Sequence, residues 1–133
     1  MASNRIWRDK KIILDSSALM MVFEFNIDIE EELDRLLGRY HILIPRNVVD
    51  EIDFLSQKGR GRKKQLAKTA LKLLQRYDII DVDSNLNADD AVVAAAEEYN
   101  GMVVTNDREL RRKLKEKGIP RICLRGKHRL MIE

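Results

Sequence analysis

Short apolar runs and helical periods alternate along the chain. "KIIL" reads as a buried strand ending at Asp15, and "ALMMVFEF" after it as a short apolar helix or turn. In "IDIEEELDRLLG", Ile29, Leu33, Leu36 and Leu37 recur at helical spacing, and Gly38 is placed to close that helix. "YHILIP" is a second strand, stopped by Pro45. "NVVDEIDFLSQKG" follows as a helix with Arg46 or Asn47 near its start, and "RKKQLAKTALKLLQRY" as a strongly amphipathic one. "DIIDV" supplies a third strand, "NLNADDAVVAAAEEYNG" a helix ended by Gly101, and "MVVT" a fourth strand. "DRELRRKLKEKG" is a helix closed by Gly118 and Pro120, and "RICLR" a fifth strand. The loop "SQKGRGR", residues 56 to 62, is the segment expected to be most mobile.

Short buried strands separated by helices predict an α/β fold, with a parallel sheet covered on both faces. Right-handed crossovers then gather the loops after the strands at one edge of the sheet, where chemistry collects near the point of strand-order reversal. The 133 residues fit one domain, spanning 1–133, that can bury a real core. With 44% hydrophobic and 35% charged residues, the composition is that of a globular protein and not a disordered one. No apolar run approaches the ~18 residues of a membrane span, and the N-terminus lacks a long apolar signal region, so the expected location is cytoplasmic. Cys123 has no second cysteine to pair with, in keeping with a reducing compartment. With only His41 and His128 beside it, a zinc site is not expected.

The net charge of +3 conceals a strong segregation of charge. Residues 58 to 77 carry eight Lys or Arg and no acid, and residues 108 to 129 carry ten against Glu109 and Glu116. Residues 24 to 34 hold six acids and no base. Half of this is the ordinary solvation of helix faces; the rest suits a polyanionic partner. The candidate backbone contacts are Lys58, Arg60, Arg62, Lys63, Lys64 and Arg108. "KGRGRKK" is not a phosphate-cradling P-loop, since it lacks both the spacing and the preceding strand.

Asp15 follows the first strand and Asp107 the fourth, so both fall at the carboxyl edge of the sheet. Either alone would read as a helix cap or turn residue. Glu51 lies at about 300° on a helical wheel that places Val48 at zero, at the rim of the stripe formed by Val48, Val49, Ile52 and Leu55. Asp50, near 200°, points away. On the helix from Ala88, Asp89 falls near 100°, inside the arc of Val92, Val93, Ala96 and Tyr99, and Asp90 near 200°, outside it. An inward carboxylate needs donors or a cation. Four such acids at one rim repel one another unless they share a hard divalent ion, Mg²⁺ or Mn²⁺, which takes carboxylate oxygens and water.

"IILDSSAL", "PRNVVDEID", "ADDAVVAAA" and "VVTNDRELRRKLKEKGIP", in this order, resemble the PIN-domain nucleases over nearly the whole chain. The resemblance implies a three-layer α/β/α fold with strand order 3-2-1-4-5, and hydrolysis of RNA phosphodiester bonds with Mg²⁺ or Mn²⁺. Carried over by position, the catalytic and metal-binding acids are Asp15, Glu51, Asp89 and Asp107. Ser17 and Thr105 match the family's small hydroxyl residues, with Asn106 and Asp90 as further supporting positions. "DSSAL" is similar to the VapC toxins, the ribonuclease half of toxin–antitoxin pairs, which implies an antitoxin partner. "KGRGRKKQLAKTAL" and "NDRELRRKLKEKGIP" look more like compact archaeal PIN proteins related to a ribosomal-RNA-processing branch, which implies a ribosomal precursor as partner. A homodimer is also implied by the resemblance alone.

Two other classes compete with the nuclease. One is a non-catalytic RNA-binding or scaffolding PIN domain in ribosome biogenesis. The other is a phosphotransfer receiver domain, which requires an acid after the third strand, here Asp81 or Asp83, and a Lys after the fifth, where Arg125 stands instead. Met20, Met21, Phe23 and Phe25 read as core or as a protein–protein surface, Cys123 as a small buried strand residue, and His128 as a surface or RNA-facing side chain. Trp7 reads as packing for the N-terminal arm or as a stacking residue.

Overall fold

The first strand, β1 (Lys10–Leu14), is the middle of the sheet, and its Ile12, Ile13 and Leu14 are fully buried. It belongs to a computed structural model that describes residues 10–133; Trp7 lies outside them. β1 pairs in parallel with β2 (Tyr40–Pro45) on one side, Ile12 opposite Ile42, and with β4 (Met102–Val104) on the other, Ile13 opposite Val103. Outside β2 lies β3 (Asp78–Ile80), and outside β4 lies β5 (Arg121–Arg125), both parallel. The order 3-2-1-4-5 agrees with the expectation, and a sixth strand, β6 (Arg129–Ile132), extends it antiparallel to β5.

Helices α1 (Ser16–Glu24) and α2 (Ile29–Leu37) join β1 to β2. α3 (Arg46–Lys58) and α4 (Gly61–Leu74) join β2 to β3, α5 (Ala88–Tyr99) joins β3 to β4, and α6 (Arg108–Glu116) joins β4 to β5. α5 lies on β1, β2 and β4, α3 packs on α4 and α5, and α1 on α3 and α4, whereas α2 rests on β2 and β6 and α6 on β5. The result is a three-layer α/β fold with a mostly parallel sheet. Its strands are apolar nearly throughout because both faces are covered.

One open choice in the sequence is settled by the structure, and two readings change. "ALMMVFEF" is resolved as helix, with Ala18, Leu19 and Met21 buried. Residues 56 to 62 are not a long loop: α3 runs through Lys58 and α4 starts at Gly61, leaving only Gly59 and Arg60 between them. Two glycines there looked like loop punctuation, but they serve a tight turn between two packed helices. The third strand stops at Ile80, without Asp81 and Val82.

Helix ends follow the local chemistry. Gly38 closes α2 at φ +75, as expected of a glycine cap. At the end of α5 the left-handed cap is Asn100, at φ 50, and not Gly101. Gly101 is required for another reason: a Cβ there would lie 2.8 Å from the Lys11 carbonyl oxygen of β1. The outward edge of β6 is covered by α2. Glu32 accepts the Leu130 amide at 2.8 Å, and Arg35, paired with Glu32 at 2.9 Å, donates to the Leu130 carbonyl at 2.8 Å.

Candidate active site

Strand order reverses between β1 and β4, and the turns leaving these two strands carry Asp15 and Asp107. Both are helix N-caps. Asp15 Oδ1 accepts the Ala18 amide at 2.8 Å, and Asp107 Oδ1 accepts the Leu110 amide at 2.9 Å. The bland role and the site role therefore coincide, because a capping aspartate at a strand end is held at the carboxyl edge with its second oxygen turned elsewhere.

Asp15 is only 3% exposed. Ser17 Oγ lies 2.8 Å and 2.9 Å from its two oxygens, and Thr105 Oγ1 donates to Oδ2 at 2.5 Å. These hydroxyls are themselves fixed by the turn after β4: Ser17 Oγ accepts the Asn106 amide at 2.9 Å, and Thr105 Oγ1 accepts the Asp107 amide at 3.0 Å. Each hydroxyl thus receives an N–H and hands its own proton to Asp15. Asn106 contributes through its backbone. Burial outweighs these donors and pushes the Asp15 carboxyl up to about 7; the nearby Asp89 raises it further.

Glu51 and Asp89 come to the same place from α3 and α5. Both are half-buried, and with Asp15 and Asp107 they line one open cleft of about 550 Å³. The Asp89 carboxyl is raised from its ordinary value by burial first, then by the charges of Asp107 and Glu51. Asp50 and Asp90 are exposed and face away, as their helical phases predict. The Asp90 carboxylate lies 3.9 Å from Lys113 Nζ of α6, and its amide is held by the α5 cap, Asn87 Oδ1, at 2.8 Å.

Asn87 also lines the cleft, as do Ser17, Met20, Phe54 and Lys63. Asn87 was readable as a cap residue before an apolar helix; nothing in the periodicity pointed to Phe54. Of the expected backbone contacts, Lys63 reaches the cleft, while Lys58, Arg60 and Arg62 are exposed around the short α3–α4 turn and Lys64 is half-buried. Arg108 lies elsewhere, in a basic recess with Arg111, Arg112, Lys115 and Arg121 on α6 and β5. The acids of the receiver reading are not in the cleft. Asp81 pairs with Arg46 at 2.7 Å, and Asp83 holds the Asn85 amide at 2.9 Å. Met21 is buried and Phe23 exposed, Cys123 is buried in β5, and His128 Nδ1 lies 2.9 Å from the Phe25 carbonyl.

The oxygen-only donor set is that of a hard divalent cation. Among the described residues, no three Asp, Glu, His or Cys side chains converge into a ready-made metal cage. An open cleft of carboxylates still fits Mg²⁺, which keeps several waters and is bound through one or two carboxylates plus substrate phosphate, not by an all-protein cage. No helix among the described residues is long and apolar enough to cross a membrane.

Comparison with known proteins identifies the family. Residues 12–127 match the PIN like domain family. The chain is 35% identical to Ribonuclease VapC9 of Archaeoglobus fulgidus over 121 residues, covering 91% of this chain and 87% of that protein. It is 33% identical to Ribonuclease VapC4 of Methanocaldococcus jannaschii over 121 residues, covering 88% of this chain and 92% of that protein. The solved structure of the PIN domain endonuclease Utp24 superposes with a TM-score of 0.78 at 22% identity, covering 95% of this chain and 92% of that one, a likeness of fold. The chain belongs to the PIN-domain ribonuclease family.

Proposed function

We propose that this protein is a Mg²⁺- or Mn²⁺-dependent ribonuclease that hydrolyses phosphodiester bonds in the acid cleft beyond the carboxyl ends of β1 and β4. The observation that carries the reading is the meeting of Asp15, Glu51, Asp89 and Asp107, from four separate elements, in one cleft beside the basic residue Lys63. Asp15, Asp89 and Asp107 are the candidates to hold the cation directly, with Glu51 as a further ligand or as the group that orients water. A bound divalent ion supplies charge stabilisation of the phosphoryl oxygens and a lowered pKa for attacking water.

The chain's own residues have distinct tasks in this reading. Ser17 and Thr105 hold the buried Asp15 in one rotamer and favour its ionised form, offsetting part of the burial penalty. The mutual charge of Asp89, Asp107 and Glu51 makes the cleft a poor place for anions and a strong one for cations. Lys63 at the rim, with Lys58, Arg60 and Arg62 nearby, meets flanking phosphates.

The two VapC relatives favour a toxin-type ribonuclease of the cytoplasm, with an antitoxin partner, over the ribosomal-RNA-processing branch. They also favour a catalytic over a scaffolding role, since the four acids expected of a nuclease are all present. One domain carries the function. The test is cleavage of a panel of single-stranded and structured RNAs by the purified chain, with and without chelator, and by Asp15→Asn. Metal-dependent cleavage that the variant lacks is the expected result; cleavage that survives in a rigorously purified Asp15→Asn protein refutes the mechanism.

A further inference from the structure

At 62% exposure, Phe54 is the most exposed large apolar side chain among the described residues. Its helix does not use it for packing. Val48 and Ile52 are buried and Val49 and Leu55 half-buried, whereas Phe54 falls about 240° from Val48 on the wheel, well outside that stripe. It stands three residues after Glu51, so the two side chains are neighbours one turn apart on the same flank of α3. The ring lines the acid cleft itself, as does Lys63 of α4, and the exposed Lys58, Arg60 and Arg62 follow around the turn.

We propose that Phe54 is a stacking platform for an unpaired RNA base next to the phosphate that enters the acid cleft. The inference rests on the nuclease reading and goes beyond it, since the acids engage only phosphate and cation and leave open which side chain takes a base. An aromatic face set among cations is the arrangement that binds single strands: the cations track the backbone and the ring takes a base, whatever its identity. In a duplex every base is already stacked between its neighbours, and the A-form grooves offer no base face to a side chain on the protein surface. A lone ring bordered by charge favours this ligand over an apolar protein surface, because only Leu55, Met20 and the small Ala88, all half-buried, extend its apolar area within the cleft.

The test uses the full chain carrying Asp15→Asn, so that RNA is not consumed, with Mg²⁺ present. Eight-nucleotide single strands carry 2-aminopurine at successive positions, and a hairpin duplex of the same sequence serves for comparison. Adding Phe54→Ala is expected to weaken single-strand binding about tenfold, within the range of one base stack, and to abolish the quenching of one 2-aminopurine position. Phe54→Trp stays within about twofold and retains the quenching. Duplex binding is unchanged by either, and Phe23→Ala, at an exposed ring outside the cleft, changes nothing. In the active protein, Phe54→Ala raises KM for single strands and leaves kcat nearly unchanged. Equal binding and equal quenching with and without the ring overturn the proposal while leaving the nuclease reading intact. A dimer that becomes a monomer in Phe54→Ala, with RNA binding unchanged, assigns the ring to a second copy and overturns it as well. If the wild-type chain neither binds nor cleaves RNA, the nuclease reading falls, and this inference with it.

Discussion

Replacing Asp15 with Asn is expected to make the metal-free protein more stable at alkaline pH while removing its activity. Asp15 is 3% exposed and its carboxyl is pushed up to about 7, mainly by burial. In the unfolded chain the same group titrates near 3.9. Below about pH 4 it is protonated in both states and weighs on neither. Between pH 4 and 7 the unfolded chain releases the proton and the folded chain retains it, so stability falls as pH rises. Above pH 7 the whole penalty is present, roughly 4 kcal/mol from the difference between the two values. Asparagine cannot ionise and its carbonyl still accepts the Ala18 amide, so it recovers part of this. We take about 2 kcal/mol, because the carboxylate's stronger bonds from Ser17 and Thr105 are weakened. For a domain of this size that is on the order of 7 °C in Tm. Differential scanning calorimetry in EDTA at pH 8 should show the variant melting higher by about that amount, and the gap should close by pH 4. Mg²⁺ at about 100 times its Kd stabilises the wild type by about 2.7 kcal/mol and the variant far less. A variant that melts lower than wild type at pH 8 in EDTA, or that gains as much from Mg²⁺, refutes the reasoning.

Asp89→Asn should reduce cleavage by more than about 100-fold, and Asp90→Asn by no more than about threefold; equal losses in a gel-based cleavage assay would mean that the exposed carboxylate shares the site. Thr105→Val keeps the shape of a fully buried side chain but removes a donor to Asp15 and the acceptor for the Asp107 amide. It should cost about 1–3 kcal/mol in urea denaturation and weaken Mg²⁺ binding measured by calorimetry; an unchanged Mg²⁺ affinity would show that the hydroxyl does not tune Asp15. Gly101→Ala forces a Cβ against the Lys11 carbonyl and should cost about 1–3 kcal/mol, with cleavage at low temperature preserved, since the contact is at the other end of β4 from the site. Wild-type stability in this variant would mean that β1 yields there.

Most of the sheet was legible because β1, β2, β4 and β5 are apolar runs that local composition alone marks out. β6 was not. In "RLMI" only Leu130 is buried, and its outward backbone bonds are made by Glu32 and Arg35, nearly a hundred positions earlier. No window along the chain contains that information. The acids at strand ends and the inward phase of Asp89 were legible from spacing, since helical geometry fixes where a side chain points. The hydroxyl relay through Thr105 was visible only as residue types, because it depends on the turns after β1 and β4 lying side by side. Phe54 was hidden for the opposite reason: periodicity finds residues that face the core, and this one faces out.

The Glu32–Arg35 pair against Leu130 has a consequence for the sheet as a whole. A bare edge is a template on which another chain can add a strand. Here the central peptide groups of that edge are already engaged, by side chains in place of a seventh strand. This edge of the sheet is therefore capped against growth, and a copy of the protein that adds a strand must do so at the opposite edge, β3. The cap has a chemical release. Arg35 holds the Glu32 carboxyl below its ordinary value, so the clamp is intact at neutral pH and is lost as pH falls through that lowered pKa. Light scattering should accordingly stay flat at neutral pH and rise in acid. Glu32→Gln, which has no carboxyl to titrate, should remove this pH dependence, and a rise in acid that survives the substitution would show that the edge is guarded by something else.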